Sequence, residues 1–177
     1  RSSASRHLIL CSRQAGKSTT TAALACHEAI YRAPALVLLL SPSLRQSSEL
    51  FRKVLDFYRA IPDAPRLVGD SALRMELETG SRIVSLPGAE ETIRGYSGVR
   101  LLVIDEASRV PDALYFSVRP MLAVSGGRLL ALTTPYGKRG WFFEAWEGPE
   151  AWERVRVTAH DVPRISRAFL EEERRAI

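Results

Sequence analysis

Four short apolar runs punctuate the chain, at 8–10, 36–40, 101–104 and 129–132. None alternates with polar positions. Unbroken apolar runs of this length are what strands buried on both faces look like, so they predict a mostly parallel central sheet covered by helices on both sides. The longer stretches between them carry helical spacing, and helices are predicted over 17–31, 44–60, 112–122, 140–146 and from 166 to the end. This is an α/β pattern with right-handed crossovers. Between 66 and 86 the texture changes. Leu73-Arg74-Met75-Glu76-Leu77 alternates, Gly80-Ser81 reads as a turn, and Arg82-Ile83-Val84-Ser85-Leu86 follows, which predicts a hairpin or a pair of short strands. Pro87-Gly88 and Gly126-Gly127 mark loops.

No repeat, low-complexity tract or linker divides the sequence, and 177 residues suit one domain over 1–177 with a substantial core. The longest apolar run, 35–40, is far below the roughly 18 residues of a spanning helix, so a soluble protein is expected. Two cysteines, Cys11 and Cys26, give neither a disulfide framework nor metal-ligand spacing, which fits a reducing, cytoplasmic setting. A net charge of +5 points to a polyanionic partner. Of the 25 basic residues only Lys17, Lys53 and Lys138 are lysines, leaving 22 arginines. Genome base composition produces the same bias, so residue type alone marks no phosphate contact.

The first candidate chemistry follows the first apolar run. Cys11-Ser12-Arg13-Gln14-Ala15-Gly16-Lys17-Ser18 leads straight into a predicted helix. In a phosphate-binding loop of pattern G-x4-G-K-[ST], backbone N–H groups at the helix N-terminus cradle the phosphates. The Lys reaches the β- and γ-phosphates, and the hydroxyl ligates Mg²⁺. Gly16, Lys17 and Ser18 fit, while Cys11 stands where the first Gly belongs. Nucleotide contacts are expected from Ser12, Arg13, Gln14, Ala15, Gly16, Lys17, Ser18 and Thr19.

The third run ends in Asp105-Glu106. A strand delivering one Asp to the Mg²⁺ shell beside Ser18, with a neighbouring Glu to orient or deprotonate the attacking water, is the second part that ATP hydrolysis requires. A buried strand that simply ends in two solvated acids looks similar. The two motifs in this order, each at a strand end, outweigh either alone. The fourth run closes in Thr133-Thr134-Pro135, whose hydroxyls could lie beside the γ-phosphate or could belong to an ordinary turn ended by Pro.

The order of these stretches, with Leu40-Ser41-Pro42-Ser43-Leu44-Arg45-Gln46-Ser47, with Ile93-Arg94-Gly95 before the acids and with Tyr136-Gly137 after Pro135, resembles the ATPase domain of the large terminase subunit of tailed bacteriophages. The segments 161–166 and 169–174 resemble the end of that domain. The resemblance implies a P-loop NTPase fold of the RecA/ASCE-like kind with a short hairpin insertion. It also implies ATP and Mg²⁺ as cofactors, and ATP hydrolysis that drives double-stranded DNA into a procapsid. In that family a deviant loop with Arg-Gln before the Gly-Lys is usual, so the missing first Gly becomes expected. By the same resemblance Lys17, Glu106, Arg13 and Arg94 are the catalytic candidates, Arg13 at the γ-phosphate and Arg94 as a finger offered to a neighbouring subunit. Ser18 and Asp105 are implied to hold Mg²⁺, and Thr133 and Thr134 to couple hydrolysis to movement. Implied partners are double-stranded DNA, the portal, the small terminase subunit and further copies in a ring, in the host cytoplasm.

Only ten residues precede Cys11, the chain begins with Arg1, and no nuclease segment follows. A fragment, monomeric on its own and lacking the adenine-binding segment, is therefore expected. Arg74, Arg82, Lys138 and Arg139 are the DNA candidates, and contacts to phosphates alone would be insensitive to sequence and steeply salt-dependent. Two other readings stay open: a superfamily-2-like helicase or translocase lobe, and a nucleotide-binding assembly module that no longer hydrolyses.

Overall fold

The structure, a computed structural model, describes residues 4–88, 93 and 95–176. Eight strands form one sheet: β1 (Arg6–Cys11), β2 (Leu36–Ser41), β3 (Leu67–Ser71), β4 (Arg74–Leu77), β5 (Arg82–Pro87), β6 (Val99–Asp105), β7 (Arg128–Thr133) and β8 (Glu153–Val157). Their order across the sheet is β3-β4-β5-β2-β6-β7-β1-β8. From β5 to β8 every neighbouring pair is parallel, while β3 and β4 add antiparallel at one edge. The helices are α1 (Lys17–Tyr31), α2 (Leu44–Ala60), α3 (Asp112–Val118), α4 (Gly140–Glu147) and α5 (Arg167–Ala176).

The unbroken apolar runs behave as their composition demands. Successive β2 residues feed opposite cores, Val37 and Leu39 on one face, Leu38 and Leu40 on the other. β6 divides likewise, with Leu101 and Val103 opposite Leu102 and Ile104. The first face packs against α1 and α2. There Ala22, Ala25, Cys26 and Ala29 give α1 a small-residue side that lets it lie close to the sheet, beside Leu50, Phe51 and Val54 of α2. The second face is covered by Leu114, Tyr115 and Val118 of α3 and by Trp141 and Phe142 of α4. Tyr115 and Trp141 stack with centroids 3.8 Å apart, a pairing that adds to the area both rings bury.

Three elements depart from the sequence reading, each for a local reason. The helix expected over 112–122 is α-helical only to Val118 and continues as a 3₁₀ turn, Arg119–Leu122, because Pro120 has no amide for the α ladder. The expected hairpin is β4 and β5, but β5 is also a full member of the parallel sheet beside β2, and β3 extends the meander. The edge strand β8 hides behind its alternating arginines. Arg154 turns back to donate to the carbonyls of Ala145, Trp146 and Gly148 at 2.7–2.9 Å, placing a cation where the C-terminus of α4 leaves acceptors free.

At the opposite end of the strands, Glu28 of α1 is buried and holds Arg100 and Arg128, the second residue of β6 and the first of β7. Close by, Gly127 admits no side chain. A Cβ there would run into the Val99 carbonyl oxygen and lie 2.9 Å from Leu122 Cδ2, whereas at Gly126 it would meet open space at φ 58°. Gly127→Ala is expected to cost ~1–3 kcal/mol by overpacking against backbone, and Gly126→Ala about 1 kcal/mol for its left-handed φ. Urea unfolding of the two variants checks the order. Equal losses would mean that the strand end yields to the methyl group.

Candidate functional site

β1 keeps its strand geometry through Cys11, which is buried and pairs with Val157 of β8. The position that the loop pattern assigns to glycine therefore needs no glycine. The left-handed turns fall later, at Gln14 (φ 59°) and Gly16 (φ 87°). Gln14 is held there by Arg164, whose guanidinium donates to the Gln14 carbonyl at 2.8 Å. Gly16 starts α1 with no side-chain cap and no acid in the first turn, so the first amides of a 15-residue helix are left to an anion. Burial pushes the Cys11 thiol up, only partly offset by Lys17, so this cysteine beside the loop is not a reactive one.

Sheet order brings the acids to the loop. β7 lies between β1 and β6, so the carboxyl ends of all three strands meet at one rim, where an open α/β sheet takes its ligands. Glu106 adopts a left-handed conformation (φ 48°, ψ 44°), strained for a residue with a Cβ, and its amide donates to Asp105 Oδ1 at 3.0 Å. The turn aims the Glu106 carboxylate at two partners. Oε1 stands 3.8 Å from Lys17 Nζ, and Oε2 accepts from Thr134 Oγ1 at 3.2 Å. Asp105 is 7 % exposed, and its second oxygen has no hydrogen-bond partner among the described residues. Burial pushes its carboxyl up to about 6 with help from the Glu106 charge, while the Glu106 amide, Lys17 and Lys53 pull it down.

The two threonines divide their roles. Thr134 lines the cavity, whereas Thr133 is fully buried, with Oγ1 2.6 Å from Ser108 Oγ and accepting the Ser108 amide at 3.3 Å. Thr133 thus ties the end of β7 to the turn after Glu106.

A cavity of about 660 Å³ opens between these strand ends. Five of the sequence's candidates, Arg13, Gln14, Lys17, Glu106 and Thr134, line it together with Pro42, Gln46, Arg109 and Tyr136. A hollow of about 270 Å³ lies along Gly16, Ser18 and Thr19, with Ala15, Lys53 and Arg164 also in its wall. Ser12 and Asp105 line neither; the Ser12 hydroxyl is buried without a partner among the described residues. Arg94 lies outside the described residues. Of the DNA candidates, Arg74 pairs with Glu76 at 2.6 Å, Arg82 is half-buried at the start of β5, and Lys138 and Arg139 are exposed. Arg109 and Tyr136 escaped sequence reading because their meeting depends on adjacent strand ends. The signal available was their position immediately after the Asp-Glu and Thr-Thr-Pro motifs.

Among the described residues no group of three or more His, Cys, Asp or Glu could hold a metal alone. Asp105 is a carboxylate and Ser18 a hydroxyl, oxygen donors of the type that Mg²⁺ takes beside waters and phosphate oxygens. Among the described residues no helix is long and apolar enough to cross a membrane.

The chain is 26 % identical over 171 residues to the large terminase subunits of Thermus phage G20c and Thermus virus P23-45, in alignments covering 84 % of this chain. It spans 35 % of the length of those relatives. In structure it is similar to the large terminase ATPase domain of Thermus phage P74-26, with a TM-score of 0.84 at 21 % identity, covering all of this chain and 85 % of that one. It is also similar to the large terminase of another thermophilic bacteriophage, solved in complex with ADP, with a TM-score of 0.76 at 14 % identity over 98 % of this chain and 45 % of that one. The family described as terminase large subunit, T4likevirus-type, N-terminal, matches residues 8–174, and the chain belongs to it.

Proposed function

We propose that the 177 residues act as one ATPase domain that hydrolyses Mg²⁺–ATP and so powers the movement of double-stranded viral DNA into a procapsid. One observation carries this reading: Lys17, the first residue of α1, meets Glu106, and Glu106 meets Thr134, in a cavity that Arg13 and Gln14 of the loop also line. The loop amides and Lys17 bind the phosphates, and Glu106, fixed by Thr134, orients a water and takes its proton. Ser18 and Asp105 would hold Mg²⁺, which supplies charge stabilisation at the transferring phosphoryl group. Arg13 lines the cavity, exposed and without an ion-pair partner among the described residues, as a residue serving the γ-phosphate should be. The ring of copies, the arginine finger from Arg94, the portal and small-subunit partners and the host-cytoplasmic setting belong to the same proposal and rest on family membership.

The test is release of phosphate from ATP at high protein concentration with double-stranded DNA and Mg²⁺, where turnover is expected to depend on the metal. Absence of both turnover and ATP binding would remove the proposal. ATP binding without turnover, with or without DNA, would favour an assembly module instead.

A further inference from the structure

Arg109 and Tyr136 form the partition between the 660 Å³ cavity and a neighbouring one of about 250 Å³, and both line each space. The Arg109 guanidinium lies 4.1 Å from the centroid of the Tyr136 ring, and the Arg139 guanidinium lies 5.0 Å from the same centroid. Among the described residues neither guanidinium has a carboxylate or hydrogen-bond partner. Two like charges thus share one ring at an exposed site, an arrangement that a stronger anionic partner can displace.

The same turns that set up the reaction place this pair. Arg109 closes the 3₁₀ turn Ala107–Arg109, its amide donating to the Glu106 carbonyl at 2.8 Å. Tyr136 follows Thr134 by two residues. Within the cavity Lys17 already faces the Glu106 carboxylate, which leaves Arg13 and Arg109 as the wall's uncompensated cations. Arg13 rides on the phosphate loop, whereas Arg109 rides on the turn that carries Glu106.

We propose that Arg109 is a γ-phosphate sensor: it rests on the Tyr136 ring when no terminal phosphate is present and exchanges the ring for phosphoryl oxygens when ATP fills the cavity. A guanidinium makes two planar, charge-assisted hydrogen bonds to a phosphoryl group, and these outweigh an exposed cation–π contact. ADP lacks the group that wins this exchange. Arg139, the residue that precedes α4, then holds the ring without a like charge beside it. The first turn of that helix is tied back to the Arg109 side of the partition by Trp141 N to Asp112 Oδ1 at 2.8 Å and Trp141 Nε1 to the Val110 carbonyl at 3.0 Å. Presence of the terminal phosphate is so passed from the cavity to a helix on the second face of the sheet. The inference rests on the reading of this cavity as a nucleotide site.

Affinities for Mg²⁺–ADP and for a slowly hydrolysed Mg²⁺–ATP analogue, measured by calorimetry on the parent, Arg109→Ala and Tyr136→Leu, test it. The parent is expected to prefer the ATP analogue. Arg109→Ala should reduce that preference about tenfold, the loss of one charged contact, with ADP affinity within about twofold. Tyr136→Leu should raise the preference about two- to threefold, because the competing ring is gone. Opposite shifts of this kind do not arise from loss of packing. An unchanged preference in Arg109→Ala, an equal loss for both nucleotides, no preference in the parent, or a reduced preference in Tyr136→Leu would each overturn the sensor and leave the nucleotide site standing. A parent that binds neither nucleotide would overturn both.

Discussion

Replacement of Glu106 by Gln is expected to lower ATP turnover by ~10²–10⁴-fold, the usual effect of removing a positioned general base, while ATP binding is kept or tightened. Gln fills the same space and still offers an oxygen to the Thr134 hydroxyl, so the left-handed turn and the tie to β7 survive. The charge does not. With the carboxylate gone from its place 3.8 Å from Lys17, the lysine is fully available to phosphate and one negative charge no longer repels the nucleotide. A general electrostatic role for Glu106 would predict only a partial loss of turnover. Single-turnover hydrolysis together with ATP affinity separates the two, and turnover within about tenfold of the parent would exclude Glu106 as the base.

The sheet and its flanking helices were legible because the sequence carries their cause on its surface. Runs such as 36–40 have no polar residue to turn outward, and at this length a strand covered on both faces satisfies them. β8 was illegible for the opposite reason. Its pattern of alternating arginines reads as solvated surface until Arg154 is seen to serve the carbonyl end of α4. The candidate site divides in the same way. Lys17, Ser18, Asp105 and Glu106 stand in spacings that their chemistry demands. Arg109, Tyr136 and Arg164 act across strand ends up to 150 positions apart, and no local pattern announces such contacts. The anomaly at Cys11 is legible as a departure that the resemblance makes expected, but its physical reason is not. Only the backbone shows that β1 is still extended there and that Gln14 and Gly16 make the turns.

Asp105→Asn is expected to make the metal-free protein more stable at neutral pH and to abolish Mg²⁺-dependent turnover. The two effects share one cause. Folding carries the Asp105 carboxylate out of water and beside Glu106, so its acid is pushed from 3.8 up to about 6. The folded state therefore holds this proton more tightly than the unfolded chain. The contribution of this group favours folding most below pH 3.8 and is lost as the pH rises through about 6. At pH 7.5 the loss is complete, and at about 1.4 kcal/mol per pH unit it amounts to ~3 kcal/mol as an upper figure. Asn is neutral at every pH and can still accept the Glu106 amide. A gain of ~1–2 kcal/mol, or roughly 3–6 °C in Tm, is expected at pH 7.5, shrinking as the pH falls through 6 and vanishing near pH 4. Turnover should fall by at least ~100-fold, since in the proposed mechanism this carboxylate would hold Mg²⁺. Thermal melts of both proteins across pH 4–8 without metal, beside Mg²⁺ titrations of hydrolysis, decide the matter. An Asn variant that melts below the parent at pH 7.5 would mean that Lys17 and Lys53 compensate the buried charge in full, and the carboxylate would then be a structural ion rather than a strained one kept for the metal.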